Sequence, residues 1–310
     1  MLRVAAVGEC MVELRHRDEH LIELGFAGDS FNTALYLARL TRRERVAVDY
    51  VTALGTDPYS EAMLAAWREE GIGAGRVARL PGRLPGLYLI RTDAMGERRF
   101  FYYRSAAAAR ELFRDTASAS LLDALPGYDV LYFTAITLSL LDPEARERFR
   151  RALMAARRAG RLVAFDSNYR PAGWADAAAA RAAITPFLDT LTLALPTFED
   201  EQALWGDQTM AETLARYAAR GIEVCVKRGD SGCFLADGDC VPVPTRIAPI
   251  DTTGAGDSFN AAYLAARLAG RPPGDAARAG HILAGTVIQH RGAIIPKDVA
   301  IPPFPGCDAR

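Results

Sequence analysis

An α/β fold, with helices on both faces of a mostly parallel sheet and a small separate β-sheet, is predicted by two features of the 310-residue sequence. Short apolar runs alternate with amphipathic stretches of roughly 10–15 residues, the rhythm of right-handed βαβ crossovers. Between Gly86 and Arg104 that rhythm breaks. Leu87-Tyr88-Leu89-Ile90 and Arg99-Phe100-Phe101-Tyr102-Tyr103 are β-rich runs joined by a turn-like Asp93–Glu97. With the short alternating segments Met11–Leu14 and His20–Leu24 they predict a lid sheet from about residues 10–25 and 86–104, inserted in one domain spanning 1–310.

The elements follow in order. Val4–Val7, closed by Gly8, is a buried-strand pattern, and Gly28-Asp29-Ser30-Phe31-Asn32 opens an amphipathic helix through Leu40. Tyr50–Leu54 reads as a strand and Tyr59–Glu70 as a helix. Gly71-Ile72-Gly73-Ala74-Gly75 follows a helix, with no helix after it. It therefore reads as a helix stop and turn rather than a dinucleotide loop. Strands are expected at Val130–Phe133, Leu162–Asp166, Leu191–Leu195 and Glu223–Val226, and helices at Pro143–Ala159, Ala177–Leu188 and Met210–Arg220. Cys233–Leu235 and Val241–Val243 suggest an antiparallel hairpin. Helices then run from about Asp257 to Ala269 and from Pro273 to about Gln289, and the Pro-rich tail after Ile295 reads as a loosely packed terminus.

Composition narrows the function. A net charge of −1 gives no electrostatic case for nucleic acid or an anionic membrane as partner. No apolar run reaches the roughly 18 residues of a membrane helix, and the start of the chain lacks a signal-peptide pattern. The five cysteines and four histidines show neither C-x-x-C nor zinc-like spacing, so reduced thiols in a cytoplasmic protein are expected. Only Lys227 and Lys297 are lysines among 37 basic residues, which discounts any single arginine and makes Lys227 more conspicuous.

Chemistry concentrates in Asp251-Thr252-Thr253-Gly254-Ala255-Gly256-Asp257-Ser258-Phe259-Asn260. Glycines just before a helix leave backbone N–H groups bare and admit close approach, an anion site reinforced by the helix dipole. An acid there repels a phosphate. Asp257 makes sense as a base taking the proton of a hydroxyl that attacks the phosphate; the alternative is an ordinary first-turn acid. Three further polar clusters follow predicted strands, at Asp166–Arg170, Thr197–Glu201 and Lys227–Gly232, where an α/β sheet binds its ligands.

Asp251–Leu264, with Gly254-Ala255-Gly256-Asp257 intact, resembles the C-terminal signature of the ribokinase-like (pfkB) carbohydrate kinases. Gly28–Asn32 resembles their N-terminal one. The resemblance covers nearly the whole chain, and there is no P-loop motif. Several segments are most similar to the family's 2-keto-3-deoxygluconate kinases. Among them are Gly8–Leu14, Leu84–Tyr88, Phe101–Arg104, Asn168–Pro171, Ala203–Gly206 and Val287–Pro296.

The resemblance implies a ribokinase-like three-layer αβα sandwich with a β lid, ATP and Mg²⁺ as cosubstrates, and a sugar acid phosphorylated at its terminal (6-) hydroxyl. It leaves open a monovalent cation such as K⁺, and it implies a homo-oligomer formed through the lid. Asp257 would be the base, and the backbone N–H groups of Gly254, Ala255 and Gly256 would hold the transferring phosphoryl. Gly28, Asn32, Tyr88, Tyr102, Arg104 and Arg170 would face the substrate. Asn168, Thr197, Lys227, Arg228, Gly229 and Gly232 would line the nucleotide. Arg104 and Arg170 suit a carboxylate, which a planar guanidinium binds in two places; Arg170 could instead meet ATP phosphate.

Three departures from the family pattern stand out. Ala27 replaces the first glycine of the usual pair. Thr197-Phe198-Glu199-Asp200 replaces the usual Asn-x-x-Glu, so no protein ligand of Mg²⁺ is assigned. Glu13 replaces the Asp of sugar-alcohol-binding relatives. The alternatives are a neutral-sugar kinase such as a fructokinase and, more remotely, a non-catalytic sugar-binding regulator.

Overall fold

A computed structural model describes residues 1–18, 20–42, 44–92, 98–114 and 116–304. The predicted turn at 93–97 and Cys307 lie outside them. The strands are β1 (Leu2–Val7), β2 (Met11–His16), β3 (Ile22–Ala27), β4 (Val46–Leu54), β5 (Gly73–Arg79), β6 (Leu87–Thr92), β7 (Arg98–Tyr103), β8 (Val130–Thr134), β9 (Leu162–Asp166), β10 (Leu193–Ala194), β11 (Glu223–Lys227), β12 (Cys233–Leu235) and β13 (Cys240–Val241). The helices are α1 (Asp29–Leu40), α2 (Pro58–Glu69), α3 (Thr116–Ala124), α4 (Ala135–Leu140), α5 (Pro143–Arg158), α6 (Ala177–Leu188), α7 (Phe198–Trp205), α8 (Met210–Ala218), α9 (Ala255–Leu268) and α10 (Pro273–Val287).

Nine strands form one sheet in the order β13-β12-β11-β10-β9-β8-β1-β4-β5, parallel except for β12 and β13. Valines, alanines and aromatics fill both faces of its central strands, as burial between two helical layers requires. One apolar cluster joins the sheet to α1, α2, α9 and α10, and the other joins it to α3 through α8. Helix starts are set by side chains that take up orphan N–H groups. Asp57 and Asp142, each followed by proline, cap α2 and α5, while Thr209 and Glu212 form a capping box on α8.

The second sheet has the order β3-β2-β6-β7 and matches the lid expected from the sequence. Strict alternation divides it. Glu13, Tyr88 and Tyr102 are register partners on one face, while Leu24, Leu14, Leu89 and Phe101 make an apolar row on the other.

Several expectations need correction. Gly71 does close α2 in the left-handed conformation (φ 77°), but Gly73–Arg79 is the edge strand β5 rather than a turn. Its glycines and arginines carry little β signal, and pairing with β4 overrides that weakness. The strand expected at Leu191–Leu195 pairs only over Leu193–Ala194, and α3, α4 and α7 add to the elements that the periodicity predicts. The tail is held as far as residue 304. Phe304 is buried, and Val299 and Ile301 pack on the core.

Candidate active site

The parallel strands β1, β8, β9, β10 and β11 deliver Gly8, Thr134, Asp166, Thr197 and Lys227 to one end of the sheet, where α1 and α9 also begin. Gly254 caps α9 with φ 77°, and a Cβ there would stand 2.7 Å from the Ala293 carbonyl oxygen. Only glycine fits that backbone. Gly28, the cap of α1, is demanded by closeness rather than by its dihedral angles, since a Cβ would lie 2.1 Å from the Glu9 carbonyl oxygen.

Asp257 occupies the first turn of α9. Its Oδ2 accepts a hydrogen bond from Asn32 Nδ2 at 2.8 Å, and Asn32 Oδ1 in turn accepts from the Gly28 N–H at 3.3 Å. The two signature motifs, 225 residues apart, thus meet at one carboxylate. Burial pushes the Asp257 pKa up to about 7, aided by the negative charges of Asp29 and Asp166 and opposed by the Asn32 hydrogen bond and Lys227. A carboxylate poised there is matched to proton abstraction near neutral pH. Of the three amides expected to hold phosphoryl, Ala255 N–H points to the Thr252 carbonyl at 3.2 Å. The first-turn N–H groups of Gly256 and Asp257 have no partner within the helix.

Lys227, at the end of β11, turns its side chain into the network under α9. Its buried ammonium donates to Asp166 Oδ2 at 2.8 Å and to Asn260 Oδ1 at 2.9 Å. It also lies 3.6 Å from where a Gly256 Cβ would be, so its positive charge sits beneath the amide pocket. Asn260 donates to Asp166 Oδ2 at 2.6 Å and to Tyr132 Oη at 3.0 Å, completing a buried network under α9. Asp166, Asn260 and Asp29 were not assigned roles from the sequence, although each lies within or beside a quoted motif. Asp29 Oδ2 accepts from Thr134 Oγ1 at 2.6 Å and from Asn168 Nδ2 at 2.9 Å. Asn168 adopts a positive φ of 25°, a conformation Asn tolerates better than most residues.

The small sheet touches this floor through Arg104 on Glu9 and through Ile294, packed on the cluster that holds Tyr88 and Ile90. The Tyr88 and Tyr102 rings lie 5.7 Å apart, and the nearby charges of Arg104, Arg170 and Asp29 act on the Tyr102 hydroxyl. Buried Tyr88 donates its hydroxyl to Glu13 Oε2. Arg104 Nη2 contacts buried Glu9 at 2.5 Å, and burial raises the proton affinity of Glu9 against the pull of that guanidinium. Arg170 is exposed and paired with Asp200 at 3.1 Å. Asp200 reaches this side of the cleft, whereas Glu201 turns into the core to meet Arg216 and Tyr217. Thr197 caps α7 without a side-chain capping bond. Arg228 lies over the Phe198 ring at 5.3 Å, and Gly229 and Gly232 take positive φ in the loop after β11. Among the described residues no three His, Cys, Asp or Glu side chains gather as a metal cage, and no helix is long and apolar enough to cross a membrane.

Comparison with known proteins agrees with this geometry. The family model of pfkB carbohydrate kinases matches residues 1–300. A 2-dehydro-3-deoxygluconokinase of Escherichia coli K12 is 43% identical over 303 residues, covering 96% of this chain and 98% of that protein. The crystal structure of a 2-dehydro-3-deoxygluconokinase from Thermotoga maritima superposes with TM-score 0.83 at 22% identity, covering 95% of this chain and 96% of that one. A ribokinase-like protein from E. coli, solved with ATP and Mg²⁺, gives 0.81 at 20% identity, with 94% of each chain covered. At such identities the two structures speak to the fold alone. A lid over a glycine-lined helix start, both signatures converging on Asp257, and a family match across nearly the whole length lead to one conclusion: the chain belongs to the pfkB family of carbohydrate kinases.

Proposed function

We propose that this protein transfers the γ-phosphoryl group of ATP to the terminal (6-) hydroxyl of 2-keto-3-deoxygluconate, giving the 6-phosphate and ADP, in the cytoplasm. The observation that carries the reading is the Asp257 carboxylate. Asn32 fixes it, burial holds its pKa near 7, and it stands in the same helical turn as the bare amides. Asp257 takes the hydroxyl proton as that oxygen bonds to phosphorus and the bond to the ADP oxygen breaks. The bare first-turn amides beside Gly254, that of Gly256 foremost and with Lys227 near it, meet the charge developing on the phosphoryl oxygens. Mg²⁺ bound to the nucleotide would supply neutralisation of phosphate charge. The oxygen donors of Asn168, Thr197 and Asp200 suit a hard cation.

The sugar-acid choice rests on the lid. Arg104 offers a guanidinium braced by Glu9. Glu13, where sugar-alcohol-binding relatives carry Asp, has both carboxylate oxygens bonded within the protein, to Arg15 and Tyr88. That leaves it poorly placed to bind hydroxyls of a neutral sugar. Relatives from Escherichia coli and Haemophilus influenzae named 2-dehydro-3-deoxygluconokinase are 43% and 39% identical, and a maize fructokinase is 28% identical, as is the 2-dehydro-3-deoxygluconokinase of Thermoproteus tenax. Purified protein with ATP, Mg²⁺ and a sugar panel tests the assignment, and preference for fructose or ribose overturns the substrate. The proposal includes K⁺ as a candidate activator, read by exchanging K⁺ for Na⁺ in that assay. It also includes a homo-oligomer built on the apolar lid row Leu24-Leu14-Leu89-Phe101, which Phe101→Glu should dissociate in sedimentation.

A further inference from the structure

One lid side chain reaches down to the loop that shapes the amide pocket. Arg15, in β2, donates from Nη2 to Glu13 Oε1 at 2.7 Å, and the other oxygen of buried Glu13 takes the Tyr88 hydroxyl. The same guanidinium sends Nη1 toward the Arg291 carbonyl at 3.4 Å. It also rests against Gly292, whose φ is 91° and whose Cβ, if present, would lie 2.6 Å from Arg15 Nη2. Gly292 N–H donates to Asp251 Oδ2, and Asp251 Oδ1 accepts from Thr253 N at 3.0 Å and from Thr253 Oγ1 at 2.7 Å. The next residue, Ala293, accepts from Tyr36 Oη at 2.7 Å and packs directly on Gly254. Contacts therefore run without a gap from the lid tyrosine to the first residue before α9.

We propose that Arg15 is a positioning residue, which ties the lid's buried Tyr88–Glu13 pair to the 291–293 loop and so fixes the amide pocket around Gly254. The inference rests on the kinase reading above. Its physical basis is the fork of the guanidinium. One arm neutralises a buried carboxylate while the other, with Glu23 Oε2 at 3.8 Å, meets the main-chain carbonyl of Arg291. A lysine at this position can neutralise Glu13, but as a point charge it lacks the planar fork whose two separated nitrogens reach Glu13 and the Arg291 carbonyl at once. Arg15→Lys thus keeps the lid's buried ion pair and cuts the tie. Arg15→Ala strands Glu13 and is expected to harm the lid itself.

The test uses the full chain as wild type, Arg15→Lys, Tyr88→Phe and the double variant. It measures kcat, KM for the sugar acid, melting temperature, and amide hydrogen exchange. For Arg15→Lys we expect a melting temperature near wild type, KM for the sugar acid within about threefold and kcat down at least tenfold. Amide exchange should rise at 251–256 and 291–293. Losses in kcat from Arg15→Lys and Tyr88→Phe should fail to multiply in the double variant, because both break one linkage. Wild-type kcat in Arg15→Lys, multiplying losses, or exchange that rises in the lid alone would each overturn the tie. A wild-type protein that phosphorylates no sugar acid sinks the functional reading instead, and the exchange measurement still decides the role of Arg15.

Discussion

Replacing Asp257 with asparagine separates the cost of the catalytic carboxylate from its benefit. Its pKa rises from an ordinary aspartate's 3.8 to about 7; at about 1.4 kcal/mol per pH unit, that difference is worth about 4 kcal/mol. The sign follows from which form the fold prefers. A folded pKa above the unfolded one means that the native protein favours the neutral acid. The corresponding stability is fully present below about pH 4, is lost as pH rises toward 7, and stays lost above it. The side-chain amide of the variant carries no such dependence and can still pair with Asn32. Urea unfolding from pH 4 to 8 should show the stability of Asp257→Asn relative to wild type growing by about 4 kcal/mol, with most of the change below pH 7. Turnover should fall by about 10²–10⁴-fold while nucleotide still binds. A stability difference that does not change with pH, or a variant that turns over at the wild-type rate, would refute the reasoning.

Asp29 is the strongest charge raising that pKa, so Asp29→Asn should move the acid limb of the kcat/KM profile to lower pH; an unmoved or higher inflection contradicts the assignment. Arg104→Ala should raise KM for the sugar acid at least tenfold while leaving any weak activity on neutral sugars unchanged, which steady-state kinetics on both substrate classes reads directly. Gly254→Ala forces a Cβ into a left-handed position 2.7 Å from the Ala293 oxygen and should cost about 1–3 kcal/mol in denaturant unfolding, with a drop in kcat larger than any change in KM.

The layered architecture was legible because its central strands and long helices carry strong periodicity, and the lid because its aromatic runs break that rhythm. The helix start at Gly254–Asp257 and the Gly28–Asn32 turn could be read from local chemistry alone. What escaped was either weakly marked or non-local. The edge strand Gly73–Arg79 is ordered by its neighbour β4 rather than by its own residues. Helix α7 opens with Glu199, Asp200 and Glu201, which read as a polar loop until Thr197 is seen pairing beside Lys227. The Asp166–Lys227–Asn260 network joins three separate segments, and no spacing rule links them. The family resemblance implies that Lys227 lines the nucleotide, without saying how its side chain lies. The fold sets its charge against Gly256, held by Asp166 and Asn260.

That burial leaves the protein with unusual amine chemistry. One of its two lysines is enclosed in a salt bridge, and the other, Lys297, has half its side chain in solvent at the edge of α2. An amine-directed dye applied to the folded enzyme therefore has, besides the α-amine of Met1, a single accessible side-chain amine, remote from Asp257 in sequence and outside the hydrogen-bond network beneath the pocket. Attachment at Lys297 would mark every molecule at the same place, and reaction at Lys227 would report that the site had come apart.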